Sequence, residues 1–172
     1  MRIAVSDACI FIDVIELKLT SQLFSLPLEI HTTIDVFNEL YPDQQELLKA
    51  YQTVGKLSVH NITPEERYLI IQEPFPRALS DTDKTVLFLA GRLNAIVLSS
   101  DKAIRNYAKS KVVEYHGMLW ILDTMLDEGL LTPVQATDGL KALIEGNIIY
   151  QGNRSLIEEM NKRLRSWSRK SL

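Results

Sequence analysis

A chain of 172 residues with a net charge of −3, 46% hydrophobic and 24% charged residues and a single cysteine suits one soluble globular domain with an ordinary core. It excludes a disordered chain, an intrachain disulfide framework and a thiolate zinc site. With no bilayer-length apolar run and no signal-peptide pattern at the N-terminus, the sequence reads as a cytoplasmic protein away from membranes.

"RIAVSD" is a short apolar run closing on Asp7, and "LEIHTT" is a second, followed by "IDVFNELY" with Ile34, Phe37 and Leu40 at helical spacing. These give two strand-then-helix units. Cys9 is expected to pack as a small apolar group beside the first strand. "KLSVHNI" is a third strand, and "TPEERYLII" opens a helix with Thr63 as cap, Pro64 in the first turn and Glu66 closing a capping box. "LSDTDKTVLFLAGRLN" places Val86, Leu87, Ala90 and Leu93 on one helix face and leads into the strand "AIVLS". A short helix starts near Asp101, and "KVVEYH" is the last strand.

From residue 117 onward the pattern is helical: "GMLWILDTMLDEG", a second box in "TPVQ" at Thr132 to Gln135, and "RSLIEEMNKRLRSW". Strands alternating with helices predict an α/β fold with a parallel sheet covered on both faces. The expectation is one domain over 1–172, with an α/β core at 1–116 and a helical extension at 117–172. The charge is uneven along it. Residues 154–170 carry Arg154, Lys162, Arg163, Arg165, Arg169 and Lys170 against Glu158 and Glu159.

The informative acids stand at strand ends or at the starts of the helices that follow. Asp7 ends the first strand, Glu39 lies in the helix after the second, and Asp101 follows "AIVLS". In a parallel sheet those positions meet at the carboxyl edge. Asp83 joins them if its helix starts at that edge. Carboxylates gathered without an interposed base call for a hard divalent cation such as magnesium or manganese. Each acid also has a structural role open to it. Asp7 serves equally as a turn residue, Glu39 as a solvated helix residue, Asp83 as the partner of Ser80 in a capping box and Asp101 as a helix N-cap. Asp81 reads as decoration of the helix dipole, although it stands close enough in sequence to substitute for Asp83. His31, His60 and His116 are too scattered to suggest a metal site or a triad.

In order, "VSDACIFID", "TTIDVFNEL", "LSDTDKTVLFLA" and "LSSDKAIRNYA" resemble the four acidic motifs of the PIN-domain nucleases. The likeness covers roughly residues 3 to 115. Its details include a small residue, Cys9, two positions after the first acid; the pair Leu89 and Ala90 closing the third motif; and Ser99 two positions before the last acid. The resemblance implies a Rossmann-like parallel sheet and metal-dependent cleavage of RNA by Asp7, Glu39, Asp83 and Asp101. Many small bacterial members are VapC-type toxins held by an antitoxin protein, and the three helices after residue 117 depart from the smallest of these.

On that reading the four acids hold one or two Mg2+ or Mn2+ ions that activate water against a phosphodiester, and Ser99 orients Asp101 or a bound water. An acidic site needs flanking cations to admit RNA, and Lys84, Lys102, Arg105, Arg163 and Arg165 are the candidates. The apolar stripe of the last helix is expected to pack on the domain or on a second subunit, as in a homodimer. Two other readings stand beside the ribonuclease. One is a catalytically silent PIN-fold module that binds RNA or protein, and the other is a phosphatase using Asp7 as nucleophile.

Overall fold

In the computed structural model residues 1–170 are described, except for the side chain of Lys170. Strands β1 (Arg2–Ser6), β2 (Leu28–Thr33), β3 (Leu57–His60), β4 (Ile96–Leu98) and β5 (Tyr115–His116) form one sheet in the order β3-β2-β1-β4-β5. Every pairing is parallel. The central strands carry apolar residues on both faces because helices cover both: Ala4, Val5, Ile96, Val97 and Leu98 are all buried.

The chain leaves β1 through α1 (Ala8–Glu16) and α2 (Thr20–Leu23) to reach β2, then passes α3 (Ile34–Glu39) and α4 (Pro42–Thr53) to β3. Through α5 (Pro64–Gln72) and α6 (Asp81–Leu93) it crosses back to the other side of β1, entering β4, and α7 (Lys102–Ser110) leads to β5. The strand order therefore reverses between β1 and β4. The crevice beyond their carboxyl ends is where open α/β sheets bind ligands, because the two flanking connections run away to opposite sides there.

Three capping boxes set helix starts where the sequence places them: Thr63 with Glu66, Ser80 with Asp83, and Thr132 with Gln135. The expected last strand at 111–116 shortens to Tyr115–His116, because Lys111 caps α7 and Val112 adopts φ 57°, which breaks the extended run. Helix α4 was not expected. It buries only Gln44 and Leu48, so its apolar periodicity is faint.

Beyond the sheet, α8 (Met118–Asp127), α9 (Pro133–Gly146), a 3-10 turn at Ile148–Tyr150 and α10 (Arg154–Lys170) complete the described chain. Ile121, Leu122, Leu140, Leu143, Met160 and Trp167 from these helices are buried in the same apolar cluster as the sheet residues. The stripe of α10 thus packs on the chain's own core.

Candidate active site

The β1–β4 ladder continues past the strands, with Asp7 N–H donating to the Leu98 carbonyl at 3.1 Å, and Ser99 N–H donates to the His116 carbonyl at 2.9 Å. These bonds fix Asp7 and Ser99 side by side at the switch point. Ser99 is buried; its hydroxyl donates to Asp7 Oδ2 and accepts from the Asp101 backbone N–H at 3.0 Å. One hydroxyl thereby ties the first acid to the backbone of the last.

Each acid also has a local structural role. Asp7 Oδ1 accepts from Ile10 N–H at 3.2 Å and caps α1, while Asp101 Oδ1 accepts from Ile104 N–H at 3.0 Å and caps α7. Asp83 Oδ2 accepts from Ser80 N–H at 2.8 Å. Capping orients these carboxylates at helix N-termini, whose partial positive charge favours them. A capping role and a metal-ligand role are therefore compatible at these positions.

Cys9 is not the apolar filler expected of it. Its thiol donates to Asp7 Oδ1 at 2.9 Å and accepts from Ser100 N–H at 3.3 Å, making it part of the polar frame. Burial first, then the neighbouring Asp7 charge, push its pKa up, so it stays a thiol.

Burial pushes the Asp7 carboxyl up to about 6. Hydrogen bonds from Cys9, Ser99 and Ile10 oppose that rise, and the negative charge of Asp83 adds to it. The Asp83 contribution is the smallest of these. Glu39 ends α3, is exposed and makes no side-chain hydrogen bond or ion pair among the described residues. Asp81 is exposed and paired with Lys84 at 2.8 Å, as suits dipole decoration.

The donor chemistry fits a hard divalent ion, being carboxylate oxygen with an uncompensated charge on buried Asp7. A closed cage is not preformed: among the described residues no three His, Cys, Asp or Glu side chains group so as to hold a metal ion. What stands assembled is the Asp7–Ser99–Asp101 unit with Asp83 within electrostatic reach of Asp7.

The expected RNA contacts divide by environment. Lys84 is paired with Asp81, and Arg163 with Asp123 at 2.8 Å and Glu159 at 3.0 Å, so both are engaged within the chain. Lys102 and Arg165 are exposed, and Arg105 lies over the Tyr115 ring at 5.3 Å. The histidines are less scattered than the sequence suggests, since His31 Nδ1 and His60 Nε2 meet at 2.8 Å across β2 and β3.

Sequence reasoning passed over Asp13, a buried acid on α1 whose Oδ1 accepts from Asn147 Nδ2 at 3.1 Å and whose Oδ2 accepts from Tyr150 OH at 3.2 Å. Its signal was an Asp inside the apolar run "CIFIDVI", where a charge must find a partner.

The family described as DUF3368: PIN domain matches residues 3–167. The chain belongs to the PIN-domain family. That match runs through α8, α9 and most of α10, so the helices beyond residue 117 fall within the family's extent in this PIN domain. PIN domains are usually metal-dependent nucleases. Among solved structures, a domain of a functionally unknown protein from Methanocaldococcus jannaschii DSM 2661 is similar to this PIN domain at 20% identity and a TM-score of 0.47, covering 69% of this chain and 91% of that one. No curated protein matches it. No described helix is long and apolar enough to cross a membrane.

Proposed function

We propose that this PIN domain is a divalent-metal-dependent endoribonuclease whose site is the carboxyl edge at β1 and β4. The observation that carries the reading is the single Ser99 hydroxyl joining Asp7 to Asp101 at the switch point, with Asp83 acting on Asp7 from the start of α6. Asp7, Asp83 and Asp101 would hold Mg2+ or Mn2+, with Glu39 joining from the exposed end of α3. Once bound, such an ion supplies a water nucleophile at neutral pH and neutralises charge on the leaving oxygen.

The chain's own residues do the positioning. Ser99 fixes the Asp7 carboxylate and the backbone of Asp101 relative to one another, and the Cys9 thiol holds the second Asp7 oxygen. The caps at Ile10 and Ile104 keep the two acids at their helix starts, so that little reorganisation is required when a ligand arrives. Lys102, beside Asp101, and Arg165, on α10, offer exposed positive charge for the phosphate backbone.

A second reading, a catalytically silent PIN-fold module that binds RNA or protein, is favoured by the lack of a three-ligand group among the described residues. Incubating purified protein with total RNA in Mn2+, Mg2+ or EDTA separates the two. The ribonuclease reading expects cleavage with either metal, none with EDTA and none by Asp101→Asn. Uncut RNA in every arm overturns it in favour of the silent module. Co-expression with the neighbouring reading frame tests the toxin form, for which a short copurifying protein that suppresses cleavage is the expected result.

A further inference from the structure

At the carboxyl end of β5, lined in part by Ser100, lies a cavity of about 350 Å3 between the α/β core and the C-terminal helices. Its walls include Ser100, Arg105, His116, Trp120, Tyr150 and Asn153. We propose that it is a base pocket, taking one unpaired nucleotide of the RNA that lies across the carboxylate site. For the identity of its substrate this rests on the ribonuclease reading above.

Three features define the ligand. First, His116 and Trp120 stack with ring centroids 4.0 Å apart and planes 13° from parallel, giving a flat aromatic wall. A planar, electron-poor ring extends such a stack, and every nucleobase has such a face. Second, Arg105 carries no ion pair and no side-chain hydrogen bond among the described residues; its guanidinium lies 5.3 Å from the centroid of Tyr115, unlike Arg2, Arg67, Arg92 and Arg163, which are all paired with carboxylates. An unpaired guanidinium in an aromatic cavity matches a phosphate in charge and in its forked donor geometry. Third, the Ser100 hydroxyl donates to Tyr150 OH at 3.0 Å, and with Asn153 it offers polar edges to a base.

The pocket communicates with the acids. Ser100 precedes Asp101 in the chain, its N–H meets the Cys9 thiol, and that thiol meets Asp7. Gly117 lines the cavity beside them: a Cβ there would stand 3.5 Å from Ser100 Oγ and from the Ser99 carbonyl oxygen and 3.8 Å from Arg105 Nη1. Positive charge at this place offsets the repulsion of RNA by the acids. The volume lies at the lower end of the range for ligand sites, enough for one nucleotide and too small for a duplex. Paired bases also keep their faces covered, so the pocket selects single strands.

The test measures binding in EDTA, where no cleavage depends on the acids. A labelled short single-stranded oligoribonucleotide and the matching duplex are titrated by fluorescence anisotropy against folded protein, with circular dichroism melts alongside. Wild type is expected to bind the single strand about tenfold more tightly than the duplex. Arg105→Gln and Trp120→Leu should each cost about tenfold, Trp120→Phe should retain most of the affinity, and Arg105→Gln should lower the salt slope by about one. Lys56→Gln, the same charge change before the amino end of β3, should match wild type. If Trp120→Leu fails to fold, Arg105→Gln and Trp120→Phe decide alone. Equal affinity for single strand and duplex, or wild-type binding by Arg105→Gln, overturns the pocket. Competition by a nucleoside monophosphate as effective as the oligomer overturns its assignment to the RNA substrate. Selective binding by a protein that cuts no RNA under any metal overturns the ribonuclease reading and leaves the pocket standing.

Discussion

Asp7 caps the start of α1 and Asp13 lies within it; both are buried, and burial pushes both carboxyls up to about 6, yet their surroundings differ in kind. Asp13 meets neutral donors from the C-terminal part of the chain, Asn147 and Tyr150, which satisfy one oxygen each. Asp7 meets hydrogen-bond donors too, and each acid also feels a weaker like charge; for Asp13 it is Glu16, on its own helix, whereas for Asp7 it is Asp83, from the start of α6. A satisfied buried carboxylate ties a fold together, as Asp13 ties α1 to the turn before α10. A buried carboxylate that feels an acid from another element, at the carboxyl edge of a parallel sheet, is a candidate for function.

The largest expected effect separates the two by activity. Asp7→Asn should reduce RNA cleavage more than about 100-fold, because even groups that only support a metal ligand cost about 10- to 100-fold when removed. Its fold should survive, since an amide keeps an acceptor for Ile10 N–H and the variant loses the repulsion from Asp83. Initial cleavage rates on total RNA with Mn2+, beside a thermal melt, check this. Wild-type-like cutting would remove Asp7 from the site.

The second breaks the comparison from the other side. Leu140 is fully buried in α9, and Leu140→Ala should cost about 2–5 kcal/mol by lost contact and cavity formation. Denaturant unfolding measures it. Cleavage per folded molecule at low temperature should be unchanged, which would mark α9 as support for the site rather than part of its chemistry. A variant that is both fully stable and inactive would contradict that division.

Much of this arrangement was legible in the sequence because it is local. Caps such as Ser80 with Asp83 and Thr63 with Glu66 are read within one helical turn, and an acid after a buried strand falls at the carboxyl edge whatever the loops do. The illegible parts are long-range. Asp13 finds Asn147 and Tyr150 across most of the chain, and His31 meets His60 only through the β2–β3 register. The polar role of Cys9 depends on β4 lying beside β1, which brings the Ser100 N–H to its sulfur. Helix α4 escaped because one buried leucine makes no periodicity.

A smaller effect tests the Asp13 seam itself. Tyr150→Phe removes one of the two donors while leaving the acid buried, so the carboxylate loses its Oδ2 partner at a cost of about 1–3 kcal/mol. The mutant melt should therefore fall by a few degrees. Asp13→Asn in the same background should recover part of the loss, because a neutral amide tolerates burial better than a carboxylate. An additive double mutant would show that the two residues do not act through one another.

The smallest effect sharpens the comparison most, because the two acids should respond to pH alike without metal and differently with it. Both carboxyls are raised in the folded state to about 6, whereas an unfolded Asp titrates near 3.8. Between those values the folded chain holds more protons than the unfolded one, so stability falls as pH rises. The contribution is fully present below about pH 4 and lost as pH climbs through 6. In EDTA, moving from pH 7 to pH 5 should then stabilise the protein by about 1 kcal/mol for each acid, with Asp7→Asn and Asp13→Asn each removing one share. A divalent ion binds the ionised form of Asp7 and so takes its share away, since protons now compete with the metal for the same oxygens. With saturating Mn2+ the pH trend should shrink to the Asp13 share for wild type, whereas Asp7→Asn, in which Asp13 alone contributes, should show the same trend with and without the metal. Guanidinium unfolding at pH 5 and pH 7, with EDTA and with Mn2+, reads all four cases. The same pH slope in both metal conditions would mean that Asp7, like Asp13, is a structural acid.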